Sequence, residues 1–225
     1  MIEHTDDLRR RLAHIHWIGG PPDAGKTTVA DLLGRRYGLP TYHFDRHEMD
    51  HIARADPLRH PQLHLLDATL RAVGEMVWLE QAWIQITPGE MARRAMGTWT
   101  ERVGLAVEDL LALPTNRPII AEGPGFFPEA VAPLLSRPEQ AIFLVPTEQF
   151  KRASHARRGK SQGRAERTSD PARYSANHIA RDLLMAEHYR QATEELGMRR
   201  IVVDGAQAAG QIARAVAEHL KLTAT

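Results

Sequence analysis

Gly20-Pro21-Pro22-Asp23-Ala24-Gly25-Lys26-Thr27 is the stretch on which the reading of this chain turns. It fits the pattern G-x-x-x-x-G-K-[ST] at every specified position. Ahead of it, Ala13 to Gly20 (AHIHWIGG) is a short apolar run rich in β-branched and aromatic residues that ends in glycines, which predicts a buried strand. Behind it, Val29, Ala30, Leu32 and Leu33 recur at helical spacing from Lys26, and Gly38 followed by Pro40 supplies the stop signal. Strand, loop and helix are the setting in which this pattern has a mechanism. Glycine at 20 and 25 lets the backbone curl so that successive N–H groups point inward, and the positive end of the helix adds to that nest. The ligand such a turn suits is a phosphate chain, with Lys26 reaching its outer phosphates.

Working outward, Thr41 to Phe44 predicts a second strand that ends at Asp45, and Arg117 to Glu122, Gln140 to Val145 and Arg199 to Val203 predict three more. Each is a short apolar run between helical stretches, as expected of buried parallel strands. Five such strands imply one α/β domain over residues 1–225: a five-stranded parallel sheet with helices on both faces. Residues 46–113 read as a helical insertion, broken near Pro57, Pro61 and Thr87-Pro88-Gly89, with Trp78, Trp83 and Trp99 along it. Residues 151–173 carry Lys151, Arg152, Arg157, Arg158, Lys160, Arg164, Arg167 and Arg173 against only Glu166 and Asp170, with glycines at 159 and 163. That segment is expected to be a cationic, mobile lid.

Composition narrows the classes. With 225 residues, 43% hydrophobic and 25% charged, the chain can bury a core and is not disordered. The absence of cysteine excludes a disulfide scaffold, a thiolate zinc site and a cysteine nucleophile. A net charge of +1 disfavours a nucleic-acid partner held by bulk charge. No apolar stretch reaches the roughly 18 residues of a membrane span, and the first residues lack an apolar leader core, so a cytoplasmic protein is expected.

With the glycine loop in that context, the chain resembles the P-loop kinases of the nucleoside monophosphate kinase-like group, which includes shikimate kinase and chloramphenicol phosphotransferase. The resemblance implies ATP, with GTP as the alternative donor, and Mg²⁺. It implies that Gly20, Pro22, Asp23, Ala24, Gly25, Lys26, Thr27 and Thr28 bind the nucleotide, with the Thr27 hydroxyl on the metal. Asp45 is expected near the γ-phosphate as the catalytic carboxylate, with Asp50 as fallback and Arg46 and His47 helping to bind the acceptor. Glu122, followed by Gly123-Pro124-Gly125, is expected to serve metal or acceptor at a loop that a ligand can approach closely. Arg157 and Arg158 are the candidate catalytic arginines delivered by the lid, ahead of Arg152, Arg173 and Arg181. The purine is expected against Val203 to Ala206.

Plainer readings stand beside these. Asp45 and Glu122 could be helix caps. The tryptophans could be core residues or the wall of an aromatic acceptor pocket. His43, His47, Asp50 and His51 could hold zinc, although magnesium already satisfies the chemistry. The expected function is transfer of a phosphoryl group from ATP to a hydroxyl of a small molecule, an antibiotic or another metabolite. The alternatives are a nucleoside or nucleoside monophosphate kinase and a regulatory nucleotide-binding module. A small-molecule acceptor is the expected partner, a homodimer is left open, and no membrane partner is expected.

Overall fold

The structure, a computed structural model, describes residues 2–158 and 162–223, with the side chains of residues 2–5, 158 and 162 outside the description. Among the described residues five strands form one all-parallel sheet: β1 (Ile15–Gly19), β2 (Thr41–His43), β3 (Ile119–Gly123), β4 (Ala141–Pro146) and β5 (Arg200–Val203). Their spatial order is β2-β3-β1-β4-β5. Helices α1 (Ile2–Arg11), α2 (Lys26–Tyr37), α3 (Glu48–Ala53), α4 (Pro61–Trp83), α5 (Pro88–Ala112), α6 (Pro128–Val131), α7 (Glu148–Arg158), α8 (Gln162–Ala165), α9 (Pro171–Glu195) and α10 (Ala209–His219) connect and cover them.

Every residue of β1, β3 and β4 is buried, which is why those runs are apolar on both faces instead of alternating. Successive side chains point to opposite faces. Ile15 and Trp17 of β1 enter a core with Ala121, Phe143 and Val145 that α5 and α9 cover. Ile18 enters a second core with Ile120, Ile142 and Leu144, closed by Val29, Ala30 and Leu33 of α2 and Ile212 and Val216 of α10. Register aligns Gly19 with Gly123 on one side and Phe143 on the other, so the carboxyl ends of the three central strands open on one edge. That edge carries the site.

The helical insertion is the pair α4 and α5. Proline opens each, Thr87 accepts a hydrogen bond from the Glu90 amide to cap α5, and the Glu101 carboxylate of α5 accepts from the Gln62 and Leu63 amides at 3.0 and 2.8 Å to cap α4. Helix α4 is interrupted at Gly74, whose φ of 75° and ψ of 163° leave helical space. The described part of the cationic lid lies against the second half of α4. Arg167 forks onto Glu75 at 3.0 and 2.8 Å, the Ser169 amide donates to Glu80 at 3.0 Å, and Ala165 and Tyr174 pack with Leu79 and Trp83. The lid expected to be mobile is, over these residues, anchored at one face; Lys160 lies outside the described residues. No helix among the described residues is long and apolar enough to cross a membrane.

Candidate functional site

The glycine loop leaves β1 and enters α2 through three left-handed residues: Gly20 (φ 141°), Asp23 (φ 62°) and Gly25 (φ 86°). A side chain at Gly20 would put its Cβ 2.2 Å from the Leu144 carbonyl oxygen, so the turn against β4 demands glycine there. Gly25 has open space around it and is chosen for its backbone. No side chain caps the start of α2, so its first N–H groups remain available to an anion. The Tyr189 hydroxyl of α9 donates to Pro124 O at 2.8 Å, tying α9 to the loop after β3.

Lys26 is buried and donates from Nζ to Pro21 O at 2.9 Å. Desolvation lowers its pKa, opposed by the charges of Glu122, Asp45, Asp23 and Asp182. A desolvated ammonium among carboxylates, bonded to a carbonyl, gains strongly from an entering anion. Thr27 donates its hydroxyl to Glu122 Oε1 at 3.1 Å, and Nδ1 of His43 donates to the same oxygen at 2.8 Å. Since a carboxylate only accepts, the Glu122 contact puts a proton on Nδ1, and the Thr41 hydroxyl, 3.0 Å from Nε2, holds the other edge of the ring. Glu122 is therefore a buried carboxylate at the end of β3, aimed by β2 at the threonine of the loop. It caps no helix. Thr27 and Glu122 together offer hard oxygen donors of the kind magnesium accepts.

Asp45 stands in a 3-10 turn (Phe44–His47) just beyond β2, which ends one residue sooner than the run Thr41 to Phe44 implied. Strand β3 intervenes between β2 and β1, yet Asp45 is exposed and borders the same cavity as Lys26 and Thr27. The turn is held from below by Arg102 of α5, whose guanidinium donates to Phe44 O at 2.7 Å and lies 4.1 Å over the Phe44 ring. Asp109, also of α5, accepts from the Tyr42 hydroxyl at 2.7 Å and bonds Nε2 of His51 at 2.8 Å.

The cavity, about 590 Å³, runs from Pro22, Asp23, Gly25, Lys26, Thr27 and Thr28 past Asp45 and Pro124 to an aromatic end formed by Trp83, Trp99, His155, Tyr174 and His178, with Arg164 and Arg181 at its wall. Trp83, His178 and Tyr174 stack on one another, Trp83 to His178 at 5.2 Å and Trp83 to Tyr174 at 4.9 Å. Burial pushes the His178 imidazole down to about 4, so it is neutral near pH 7. Trp78 packs in the small core with Leu79 and Trp83 and borders no part of the cavity, whereas Trp83 and Trp99 border it.

Several expected residues fall elsewhere. Ala24 is buried in the core under α2. Arg46 is exposed, and His47 stacks on Tyr42 at 4.3 Å. The space left by the missing side chains at Gly123 and Gly125 is taken by Phe44: an added Cβ would lie 2.2 Å from Phe44 Cβ and 2.4 Å from its Cζ respectively. Arg157 is exposed and outside the cavity wall, and the Arg158 side chain lies outside the described residues. Arg152 pairs with Glu148, and Arg181 is bonded to Asp182. Asp50, His51 and Asp109 approach one another closely enough for a metal, but Arg54 bonds Asp50 at 2.8 Å and Asp109 at 2.5 Å and occupies that cation position; His43 belongs instead to Glu122. Residues 203–206 are not part of the cavity; there Asp204 accepts from the Ala206 amide. Sequence reasoning passed over Asp182, His155 and His178, which come from α7 and α9 and carry no local motif.

The chain matches no known family model and no curated protein in sequence.

Proposed function

We propose that this chain is an ATP-dependent phosphotransferase of the P-loop kinase type that moves the γ-phosphoryl group to a hydroxyl of a small molecule. One observation carries the reading: an uncapped helix start with a desolvated lysine, a threonine bonded to a buried glutamate, and an exposed aspartate all border a single cavity. These residues fit a magnesium nucleotide. Lys26 and the amides of the glycine loop would bind the phosphate chain, and Thr27 and Glu122 would hold Mg²⁺, which when bound neutralises charge on the phosphate oxygens.

Phosphoryl transfer of this kind needs an aligned nucleophile and little proton removal before a loose transition state. Asp45 is the group that would accept the hydrogen bond of the acceptor hydroxyl and orient its oxygen toward the phosphorus. As the new O–P bond forms and the bond to the leaving diphosphate breaks, the hydroxyl proton passes to Asp45. The aromatic end of the cavity would exclude water from the acceptor and hold its apolar part. Arg164 is the described lid arginine that borders the cavity, and a guanidinium there complements the charge of the transferring group.

A neutral acceptor suits this wall better than a nucleoside monophosphate. Arg181 already gives Nε and Nη2 to Asp182, and His178 is held neutral by burial, so a second phosphate would enter beside groups already committed or uncharged. Calorimetry with Mg²⁺ and ATP or GTP tests the reading, with Lys26→Met as the control. Wild type is expected to bind, and Lys26→Met to lose binding at an unchanged melting temperature, because the amine bonds a loop carbonyl oxygen and does not pack in the apolar core. Absence of any heat with wild type refutes the proposal; binding without phosphoryl mass gain on any alcohol in a metabolite panel favours the regulatory module.

A further inference from the structure

Lys151 belongs by sequence to the cationic lid, where a solvated surface charge is the ordinary expectation. It is instead fully buried at the start of α7. Its Nζ donates to Asp23 Oδ2 at 2.7 Å and to Asp182 of α9, and Asp182 in turn accepts from Arg181 Nε at 2.8 Å. The Arg181 guanidinium lies 4.5 Å over the Trp83 ring at the aromatic end of the cavity. A line of alternating charge thus runs from the glycine loop through both helices that flank the lid to Arg181 over Trp83, both of which line the cavity.

The first link of that line answers a difficulty in the loop itself. Asp23 belongs to the glycine loop and lines the cavity together with Lys26 and Thr27. A negative side chain there repels a phosphate chain through a medium of low dielectric, where such repulsion is strong. Asp23 also holds a left-handed backbone, φ 62°, which aspartate and asparagine tolerate better than most residues. We propose that Lys151 is a positioning residue of the phosphate site: it neutralises Asp23 and pins the loop's left-handed turn to the lid helices, so that an acidic loop accepts a triphosphate. The inference rests on the phosphotransferase reading and adds to it the residue that makes this version of the loop work.

The charge logic sets the test. Lys151→Met removes the neutralising ammonium, so affinity for MgATP by calorimetry falls on the order of tenfold or more. Asp23→Asn keeps the left-handed turn and an oxygen for Lys151 while removing the negative charge, so it binds MgATP more tightly than wild type at low salt, with a steeper loss as salt rises. The double variant Lys151→Met with Asp23→Asn recovers affinity to within about threefold of wild type, which lost packing alone would not produce. Lys151→Met binding as wild type overturns the inference alone, as does a folded double variant that stays as weak as the single. Should Lys151→Met fail to fold, Asp23→Asn decides by itself, and unchanged or weaker binding refutes. A wild-type chain that binds no MgATP overturns the phosphotransferase reading and this inference with it.

Discussion

Phe44→Ala should both destabilise the chain and loosen its candidate catalytic carboxylate, because one ring organises the turn that presents Asp45. Phe44 is fully buried, meets Phe126 edge to face at 5.1 Å, lies beneath the Arg102 guanidinium at 4.1 Å, and fills the slot that Gly123 and Gly125 leave open. Truncating a phenylalanine in such a site costs about 3–5 kcal/mol, transfer and residual cavity together. The loss of a desolvated cation–π contact, about 2 kcal/mol, puts the value at the upper part of that range. At about 2–4 °C per kcal/mol for a chain of this length, a loss of about 4 kcal/mol lowers the melting temperature by about 8–16 °C. Circular dichroism melts measure it, with the urea midpoint as a check where melting is irreversible. Well below its transition the variant should retain nucleotide affinity, since the ring packs on Gly123 and Gly125 and not on the glycine loop, while transfer to an alcohol falls. Phe44→Leu, which keeps most of the volume, should cost no more than about 2 kcal/mol. A shift under about 4 °C for Phe44→Ala, or equal losses of binding and transfer, refutes the reasoning.

Two further outcomes follow from the same geometry. Asp45→Asn is expected to lower turnover on the order of 10²- to 10⁴-fold with nucleotide affinity kept, measured by single-turnover transfer beside calorimetry, since Asp45 comes from the turn after β2 and not from the glycine loop, and asparagine keeps its size; unchanged turnover would assign the role elsewhere. The pH dependence of stability follows from the buried His16 and the half-buried His178, each pushed down to about 4 chiefly by desolvation. A depressed pKa means that the unfolded state binds the extra proton first. Stability is therefore complete above the unfolded value near 6.5 and is lost as pH falls toward about 4, by about 3 kcal/mol for each histidine. Urea midpoints at stepped pH should drop across that window, and His178→Phe should flatten part of the slope; an identical slope in the variant would remove His178 from the account.

The sheet was legible because its signal is local. Each of the five apolar runs lies within two residues of its strand, and in β1, β3 and β4 burial on both faces keeps the run mostly apolar. The glycine loop was legible for a stronger reason: Gly20 and Gly25 answer backbone demands that no other residue meets as well, so the pattern and the conformation coincide. The helix pair at 61–83 and 88–112 was visible by period and by its prolines, but the break at Gly74 was not, because an isolated glycine in a helical run is ordinarily tolerated. Gly123 misled in an instructive way. Its missing side chain was read as room for a ligand, and the room is occupied by Phe44, a residue 79 positions earlier that only the pairing of β2 with β3 brings there.

The basic segment shows the same limit acting on charge. Composition identifies Lys151 to Arg173 as cationic, yet a cation's role depends on its counter-charge, and the partners come from the glycine loop, α4 and α9. Lys151 finds Asp23 in the glycine loop and Asp182 on α9; Arg167 finds Glu75 on the second half of α4; Arg164 faces the cavity. One run of sequence thus supplies a buried bridge, a surface clasp and a cavity cation, and nothing in the spacing of the arginines distinguishes them. The distinction has energetic weight. A surface pair such as Arg167 with Glu75 contributes little, because water and salt screen it, whereas losing one member of a buried pair such as Lys151 with Asp182 strands an uncompensated charge at about 3–5 kcal/mol. Neutralising Arg167 should therefore barely move stability while neutralising Lys151 moves it substantially, although the two residues belong to one basic run of the sequence.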